Sequence, residues 1–548
     1  MVWSAGRAHP AYEGGEPLWA GTLQTEVSER LPRVHAERLI ERTDAREASV
    51  SEALDAKHRS ARGQFFTPAS VASFLAGLID LPAQGRFTVL DPGAGVGSLS
   101  AAVAARAIEE RSTCEITLVA VESDPALLDA LSKTMRDCER AAKRAGVCLR
   151  AEVLSEDFLA WASAALSGSI WAELQQFDAC ILNPPYRKVN VGSADRLASE
   201  RIGLRVTNLY TAFLGASAAL LGPGGQLSAI TPRSFANGPY FRPFREFFLS
   251  RMALERLHVY DERGTVFAGA DVLQENVVLR AVRDGERHAV TLSISNSHED
   301  EPVARAVPYS AVVHPGDPQR FIHIPVEEEA TVVASRIAAL PAGLADLGLR
   351  VSTGRVVDFR ARDHLVHEPD PECAPLIYPS HVRGGRVEWP FMAGRKPNSL
   401  AIVAETARLL LPTGDYVLVK RFSSKEERRR VTASWFQPDD VPGPVVAFEN
   451  HLNVFHRDGE GIESALAAGL AVFLNTSTVD RYVRQFSGHT QINATDLRLL
   501  RYPDEETLLR VGASVHAGGW PGTQDAVDLL IAQSVPAFAE GARPARAA

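Results

Sequence analysis

The chain has no run of about 18 or more apolar residues, so no membrane-spanning helix is expected. Its first residues, Met1 to Tyr12, carry Arg7 but lack the apolar core of a secretory leader. Cysteine is scarce: Cys114, Cys138, Cys148, Cys180 and Cys373 are odd in number and scattered. None forms a Cys-x-x-Cys pair or lies near a histidine at zinc-ligand spacing. Free thiols in a reducing cytoplasm, and no metal site, are the expectation. Positive charge is not in excess, the formal net charge being −9. That gives no global attraction to nucleic acid, yet a local basic cleft is compatible with it, because association follows the field at the binding face. There is no internal repeat, and no carboxylate–lysine set of the kind a nuclease uses stands out.

What is present is an ordinary globular composition, 45% apolar and 23% charged, spread over 548 residues. That length exceeds one core and implies two or three domains. Residues 20–60 have helical spacing (Val34, Leu39, Ile40, Val50, Leu54) with many charges, and read as a helical lead-in, 1–60. From Thr88 to Leu279 short apolar strands alternate with helices: Thr88–Leu90, Ile116–Val121, a strand ending at Leu182, Gly225–Ile230 and Asn276–Leu279. Such alternation predicts a doubly wound, mostly parallel sheet of Rossmann-like type over 61–300, with ligands beyond the carboxyl ends of the strands. A linker is expected near 298–308. Thereafter proline, glycine and arginine interrupt the apolar stretches, and a second, α+β domain is expected over 305–535, with a flexible tail at 536–548.

Two segments carry chemistry. Asp91-Pro92-Gly93-Ala94-Gly95-Val96-Gly97 lies between a strand and a helix, where glycines let a ligand approach the backbone. Alone, this turn fits a dinucleotide site equally well. Glu122 ends the next strand, placed to accept ribose hydroxyls. Asp157-Phe158 suits an adenine ring, and Gly63-Gln64-Phe65-Phe66-Thr67-Pro68 precedes a helix. Each has a plain alternative: an exposed strand-end carboxylate for Glu122, a helix N-cap for Asp157, core packing for the phenylalanines. Together and in this order they predict S-adenosylmethionine as cofactor.

The second segment is Asn183-Pro184-Pro185-Tyr186, at the end of the apolar run Phe177–Leu182. An amino nitrogen conjugated to a ring or carbonyl is a poor nucleophile. The Asn183 side-chain oxygen and the Pro184 carbonyl can accept its two hydrogens, the prolines fix their direction, and Tyr186 can stack on a planar group. Positioning and electrostatics would carry the rate without a strong base. The acceptor is therefore a planar amino group.

With these motifs in this order, the chain resembles the gamma-class DNA adenine-N6 methyltransferases of restriction–modification systems. The catalytic half is similar to the TaqI type. Pro232-Arg233-Ser234-Phe235, Asn237 to Arg245, Glu449-Asn450-His451-Leu452-Asn453 and Gly488 to Leu497 are similar to the PstI and XhoI modification enzymes. The resemblance implies that Asn183, Pro184, Pro185 and Tyr186 are catalytic, with Phe267 stacking on the far face of a flipped adenine. It implies Phe65, Thr67, Pro68, Asp91, Gly93, Gly95, Glu122, Asp157, Phe158 and Asn183 as cofactor contacts. Asp-Pro-Gly-Ala-Gly stands where many relatives have Pro-Ala-Cys-Gly, and cytosine-N4 enzymes more often carry Ser at the position of Asn183. Double-stranded DNA is the implied partner of a monomer, with a separately encoded restriction endonuclease acting at the same site.

For DNA contact the candidates are Arg233, Tyr240 and Arg242, with Arg245, around the flipped nucleotide, and Lys420, Arg421 and Lys425 in the basic stretch that runs to Arg430. A solvated helix face explains that stretch equally well. Arg383, Arg386, Arg395 and Lys396, interleaved with His381, Trp389 and Phe391, make a second candidate patch. An rRNA base or a protein glutamine is the alternative acceptor, and a catalytically inert DNA-binding subunit a third reading.

Overall fold

Short apolar runs bounded by glycine and charge become parallel strands in the computed structural model, which describes residues 18–54, 67–167, 176–260, 276–297, 300–326, 328–423, 427–486 and 491–539. The chain divides into two compact bodies, Met1–Pro185 with Leu220–Ala229, and Tyr186–Ala219 with Ile230–Ala548.

In the first body, β1 (Arg86–Pro92), β2 (Glu115–Val121), β3 (Leu149–Leu154), β4 (Phe177–Leu182) and β5 (Leu221–Pro232) lie in the order β3-β2-β1-β4-β5, each pair parallel. Ala179, Cys180, Ile181 and Leu182 are wholly buried, as expected of a strand covered on both faces. β3 has no such continuous apolar run and is not evident from the sequence. The winding reverses between β1 and β4, which pair at Val89–Ala179 and Leu90–Cys180. A crevice for a ligand opens at such a reversal. β5 starts earlier than expected and absorbs Gly222-Pro223-Gly224 in a break of register against β4.

Helix Pro125–Ala145 shows how local chemistry sets the boundaries. Asp124 caps it by accepting from Ala126 N at 3.1 Å, proline opens it, and Gly146 at φ 76° ends it. The expected lead-in is a helix, Leu18–Ala53, and it docks onto the body. Arg46 donates to Thr134 Oγ1 and Asp137 Oδ2, both at 2.7 Å, and Ser98 Oγ donates to Glu47 Oε2 at 2.5 Å.

In the second body, β6 (Met252–Tyr260) runs antiparallel to β7 (Asn276–Arg283) and parallel to β8 (Ala289–Ser295), with β9 (Val303–Pro308) antiparallel to β8. Residues 303–308, expected as linker, are thus an edge strand, whose side chains other than Val307 lie open enough to read as polar loop. Beyond Pro308 the alternation ends, as anticipated. Strands Arg350–Thr353, Leu452–His456, Tyr416–Lys420 and Ala433–Phe436 form an antiparallel sheet, and five others a mixed one. Helices Ser464–Leu474 and Glu505–Gly518 cross at Gly469 and Gly512, where any Cβ would overlap the carbonyls of Leu508 and Ala465. Among the described residues no helix is long and apolar enough to cross a membrane.

Two buried histidines couple this body to pH. His258 lies between Ser293 Oγ at 3.0 Å and Ser295 Oγ at 3.3 Å, and burial, aided by Arg256, pushes it down to about 4. Burial pushes His323 well below its ordinary value too, with His314 stacked on it at 4.1 Å and Arg233 adding to the effect. The folded state binds these protons more weakly than the unfolded chain. Their stability contribution is therefore complete above about pH 6.5 and lost as pH falls. Wild-type protein should lose stability relative to His258→Asn between pH 6.5 and 4, by on the order of 3 kcal/mol at the acid limit, read from urea midpoints. A pH-independent difference would refute the assignment.

Candidate active site

The turn after β1 is held from beneath. Gly93 N and Ala94 N donate to Val121 O at 2.8 and 3.0 Å, so the loop arches over the end of β2. Glu122 is buried rather than exposed at the strand end. Its carboxylate accepts from Gly95 N at 2.9 Å and Asp124 N at 2.7 Å, and burial holds its pKa above the usual range. It ties the glycine loop to the start of the next helix, a role its spacing did not suggest. Gly95 (φ 60°) faces open space, whereas a Cβ on Gly97 (φ 91°) would press on Leu131 and Thr134. One glycine clears a ligand's approach and the other lets two helices meet.

Asp91 ends β1 with Oδ2 accepting from Ser100 N at 3.1 Å and Ser100 Oγ at 2.7 Å. Burial pushes it up to about 7. Among the described residues its buried Oδ1 has no partner, an acceptor left over beside the loop. The open space at Gly95, this spare acceptor and the buried Glu122 fit S-adenosylmethionine, which supplies an electrophilic methyl group when bound. Asp157 is exposed and caps helix Phe158–Leu166 through Ala160 N at 2.9 Å. Phe158 is buried, its ring 6.2 Å from Trp161.

Asn183 follows β4, the neighbour of β1, so its loop and the glycine loop leave adjacent strand ends. Its Nδ2 donates to Thr67 Oγ1 at 3.0 Å. Thr67 is itself buried, and the next residue, Pro68, starts helix Ala69–Gly77 by accepting from Ala72 N. Thr67, expected among the cofactor contacts, therefore holds the Nδ2 end of the Asn183 amide.

In the second body, Tyr186 packs edge-on against Tyr210 at 6.3 Å, and its hydroxyl donates to Ile230 O at 3.4 Å. Burial holds that hydroxyl well above its usual pKa, so the ring is neutral. Tyr210 is itself fixed by Ser234 Oγ at 2.6 Å and by the Phe241 ring at 6.0 Å. Tyr210 escaped the sequence reading because it sits inside an apolar helix with no motif around it. Asn237 is fully buried with neither amide atom partnered among the described residues.

The expected DNA contacts divide. Tyr240 is 73% exposed and Arg242 is exposed, paired with Glu246 at 2.8 Å. Arg233 and Arg245 are buried instead, a correction. Arg233 donates to Gln485 O at 2.6 Å, and Arg245 to the carbonyls of Gln319, Phe235, Asn237 and Gly238 at 2.9–3.1 Å. Guanidinium groups satisfy several carbonyls at once, so they serve as internal ties as readily as phosphate ligands. The same holds in the basic stretch: Arg430 is buried against Ser423 O, and Arg429 donates to Thr476 O and Val431 O. Arg421 is half-buried, donating to Asn450 O and Gln491 Oε1, both at 3.3 Å. Lys420 is half-buried, its ammonium pKa lowered by burial and further by Arg383, with Glu427 opposing. Phe422 is 45% exposed, edge-on to His451 at 4.7 Å. Of the second patch, Arg383 is exposed over Phe391, while His381 is buried and bonded to Tyr378 N and Asn398. Phe65, Phe267 and Lys425 lie outside the described residues.

The sheet order and the motifs at its reversal define a Rossmann-like methyltransferase fold. Residues 133–267 match the Eco57I restriction-modification methylase family. The chain is 37% identical over 513 residues to the type II methyltransferase M.PstI of Providencia stuartii, spanning 93% of this chain and 99% of that protein. It is 37% identical over 478 residues to the type II methyltransferase M.BsuBI of Bacillus subtilis, spanning 86% and 93%. The chain therefore belongs to the type II methyltransferases of restriction–modification systems. Its fold also resembles that of the type IIL restriction-modification enzyme MmeI, solved in complex with DNA, at a TM-score of 0.51 and 11% identity over 95% of this chain and 73% of that one.

Thr67→Val removes the acceptor that orients Asn183. Methyl transfer should fall roughly tenfold, the worth of one hydrogen bond, with cofactor affinity little changed. Thr67→Ser should retain activity. Equal loss of cofactor binding and turnover would return Thr67 to the cofactor contacts.

Proposed function

We propose that this chain transfers the methyl group of S-adenosylmethionine to the N6 amino group of an adenine turned out of double-stranded DNA. The observation that carries this reading is the Asn183 amide, fixed by Thr67 at the end of β4 beside the glycine loop of β1. Asn183 Oδ1 and the Pro184 carbonyl accept the two amino hydrogens and draw the nitrogen toward tetrahedral geometry, freeing its lone pair. Pro184 and Pro185 restrict the backbone that aims those acceptors. Tyr186, a neutral ring braced by Tyr210, stacks on the base, and Phe267 takes the opposite face. Burial strengthens these contacts, so no strong base is required.

Asp91, Gly93, Gly95, Glu122, Asp157 and Phe158, with Phe65 and Pro68, hold the cofactor in this reading. Asn rather than Ser at position 183 favours adenine over cytosine. Residues 61–300 serve as the methyltransferase region and 305–535 as the target-recognition domain, where Lys420, Arg421, Lys425 and Arg383 face phosphates. Tyr240 and Arg242 lie nearer the flipped nucleotide. The enzyme acts as a cytoplasmic monomer beside a separate endonuclease of the same specificity, and needs no metal.

Purified protein incubated with methyl-labelled cofactor and plasmid DNA should leave N6-methyladenine at one sequence, mapped by sequencing. Label on RNA or on protein glutamine, with none on DNA, would replace this reading with the alternative acceptor. Asn183→Ala should abolish transfer, a loss of at least about a hundredfold, while cofactor affinity stays near wild type.

A further inference from the structure

Five residues past Tyr186 the chain presents Val191, at 87% exposure the most open of the large apolar side chains among the described residues. Its turn is built, not slack. Val189 N donates to Thr207 O at 2.9 Å, and Leu209 N to Arg187 O at 2.8 Å, so the outgoing and returning segments pair around Lys188 and Asn208. At the tip, Ser193 N donates to Asn190 O at 3.2 Å and Gly192 takes φ 78°. Ser193 then caps helix Ala194–Arg201, and Arg187 pairs with Asp195 at 2.7 Å. Beneath the tip, Val189, Leu204 and Val206 are buried. The returning segment runs straight into Tyr210, which braces Tyr186. Both ends of the turn are thus tied to the base-stacking wall, all within the second body.

Among the described residues of this body, nothing covers this apolar tip. Three cations, Arg187, Lys188 and Arg205, are exposed on its two limbs, Arg187 paired with Asp195. That pairing of a wedge with flanking cations suits a duplex, whose base stack is apolar and whose edges are anionic. Five residues reach at most about 18 Å, enough to cross a groove roughly 8 Å deep. Valine is branched at Cβ and stiff, so inserting it costs little rotamer freedom. We propose that Val191 is the wedge that enters the base stack where the target adenine leaves it, with Arg187, Lys188 and Arg205 on the neighbouring phosphates. The proposal rests on the reading of this chain as a DNA adenine methyltransferase.

The test uses the full chain, S-adenosylmethionine and a duplex carrying the mapped site, with 2-aminopurine replacing the target adenine for the binding arm. Val191→Gly should lower the 2-aminopurine fluorescence gain and reduce methylation of a paired adenine roughly tenfold, since unpairing is a real part of the barrier. Activity should return to within about twofold of wild type when the opposite nucleotide is abasic, because there the base is already free. Val191→Leu should remain active on both duplexes. Wild-type behaviour of Val191→Gly on the paired site, or equal loss on paired and unpaired sites, overturns the wedge. Failure of the wild-type protein to methylate any DNA is a separate outcome, which overturns the underlying reading and the wedge with it.

Discussion

The parallel pairing of β1 with β4 is the constraint on which the rest of the site depends. Two pairs, Val89–Ala179 and Leu90–Cys180, bring together strands far apart in sequence. Because both strands are buried and their side chains alternate, a one-residue slip would turn Asp91 and Asn183 to other faces. The register thus sets where the glycine loop ends relative to the Asn183 amide. Asp91, Glu122 and Thr67 then each make local bonds that keep the loop, the helix start and the amide where the register leaves them.

Polar groups at this site share a pattern: Glu122, Asp91 and Thr67 each act on other protein groups. Glu122 holds the backbone of the loop it serves, and Asp91 pins the first turn of the following helix while keeping one oxygen spare. Thr67 holds one end of the Asn183 amide. Burial raises the carboxylates toward neutrality, and that cost is offset by two or more donors on each. These bonds are made within the protein itself, so the arrangement does not depend on a ligand to hold it.

Much of this was legible in the sequence, for a physical reason. The cofactor turn and Asn183-Pro184-Pro185-Tyr186 need particular residue types in contiguous segments, so the chemistry is written locally. The strands that carry them are continuous apolar runs. β3, β9 and the break in β5 were not legible, because β3 and β9 are part exposed and β5 opens with residues that usually make turns. Thr67 as an orienting residue, and Tyr210 as a brace, depend on contacts across 116 and 24 residues of chain. Arginine was the least legible of all. Arg233, Arg245, Arg429 and Arg430 look like phosphate ligands in a basic stretch, yet their donors close on carbonyls. A guanidinium's fate is decided by whether the fold offers it several carbonyls at once, and composition holds no record of that.

That division of arginines bears on how such an enzyme can diversify. The cations spent on carbonyls tie down the backbone at Phe235, Asn237, Gly238, Gln319, Ser423, Val431, Thr476 and Gln485. Those at the surface, Arg383 and its neighbours, bear little of the frame. An exposed cation or aromatic there can therefore be replaced without undoing the ties that hold the fold. Surface chemistry and internal framework are thus separable in this body: one can change its charge pattern while the other keeps its carbonyl ties.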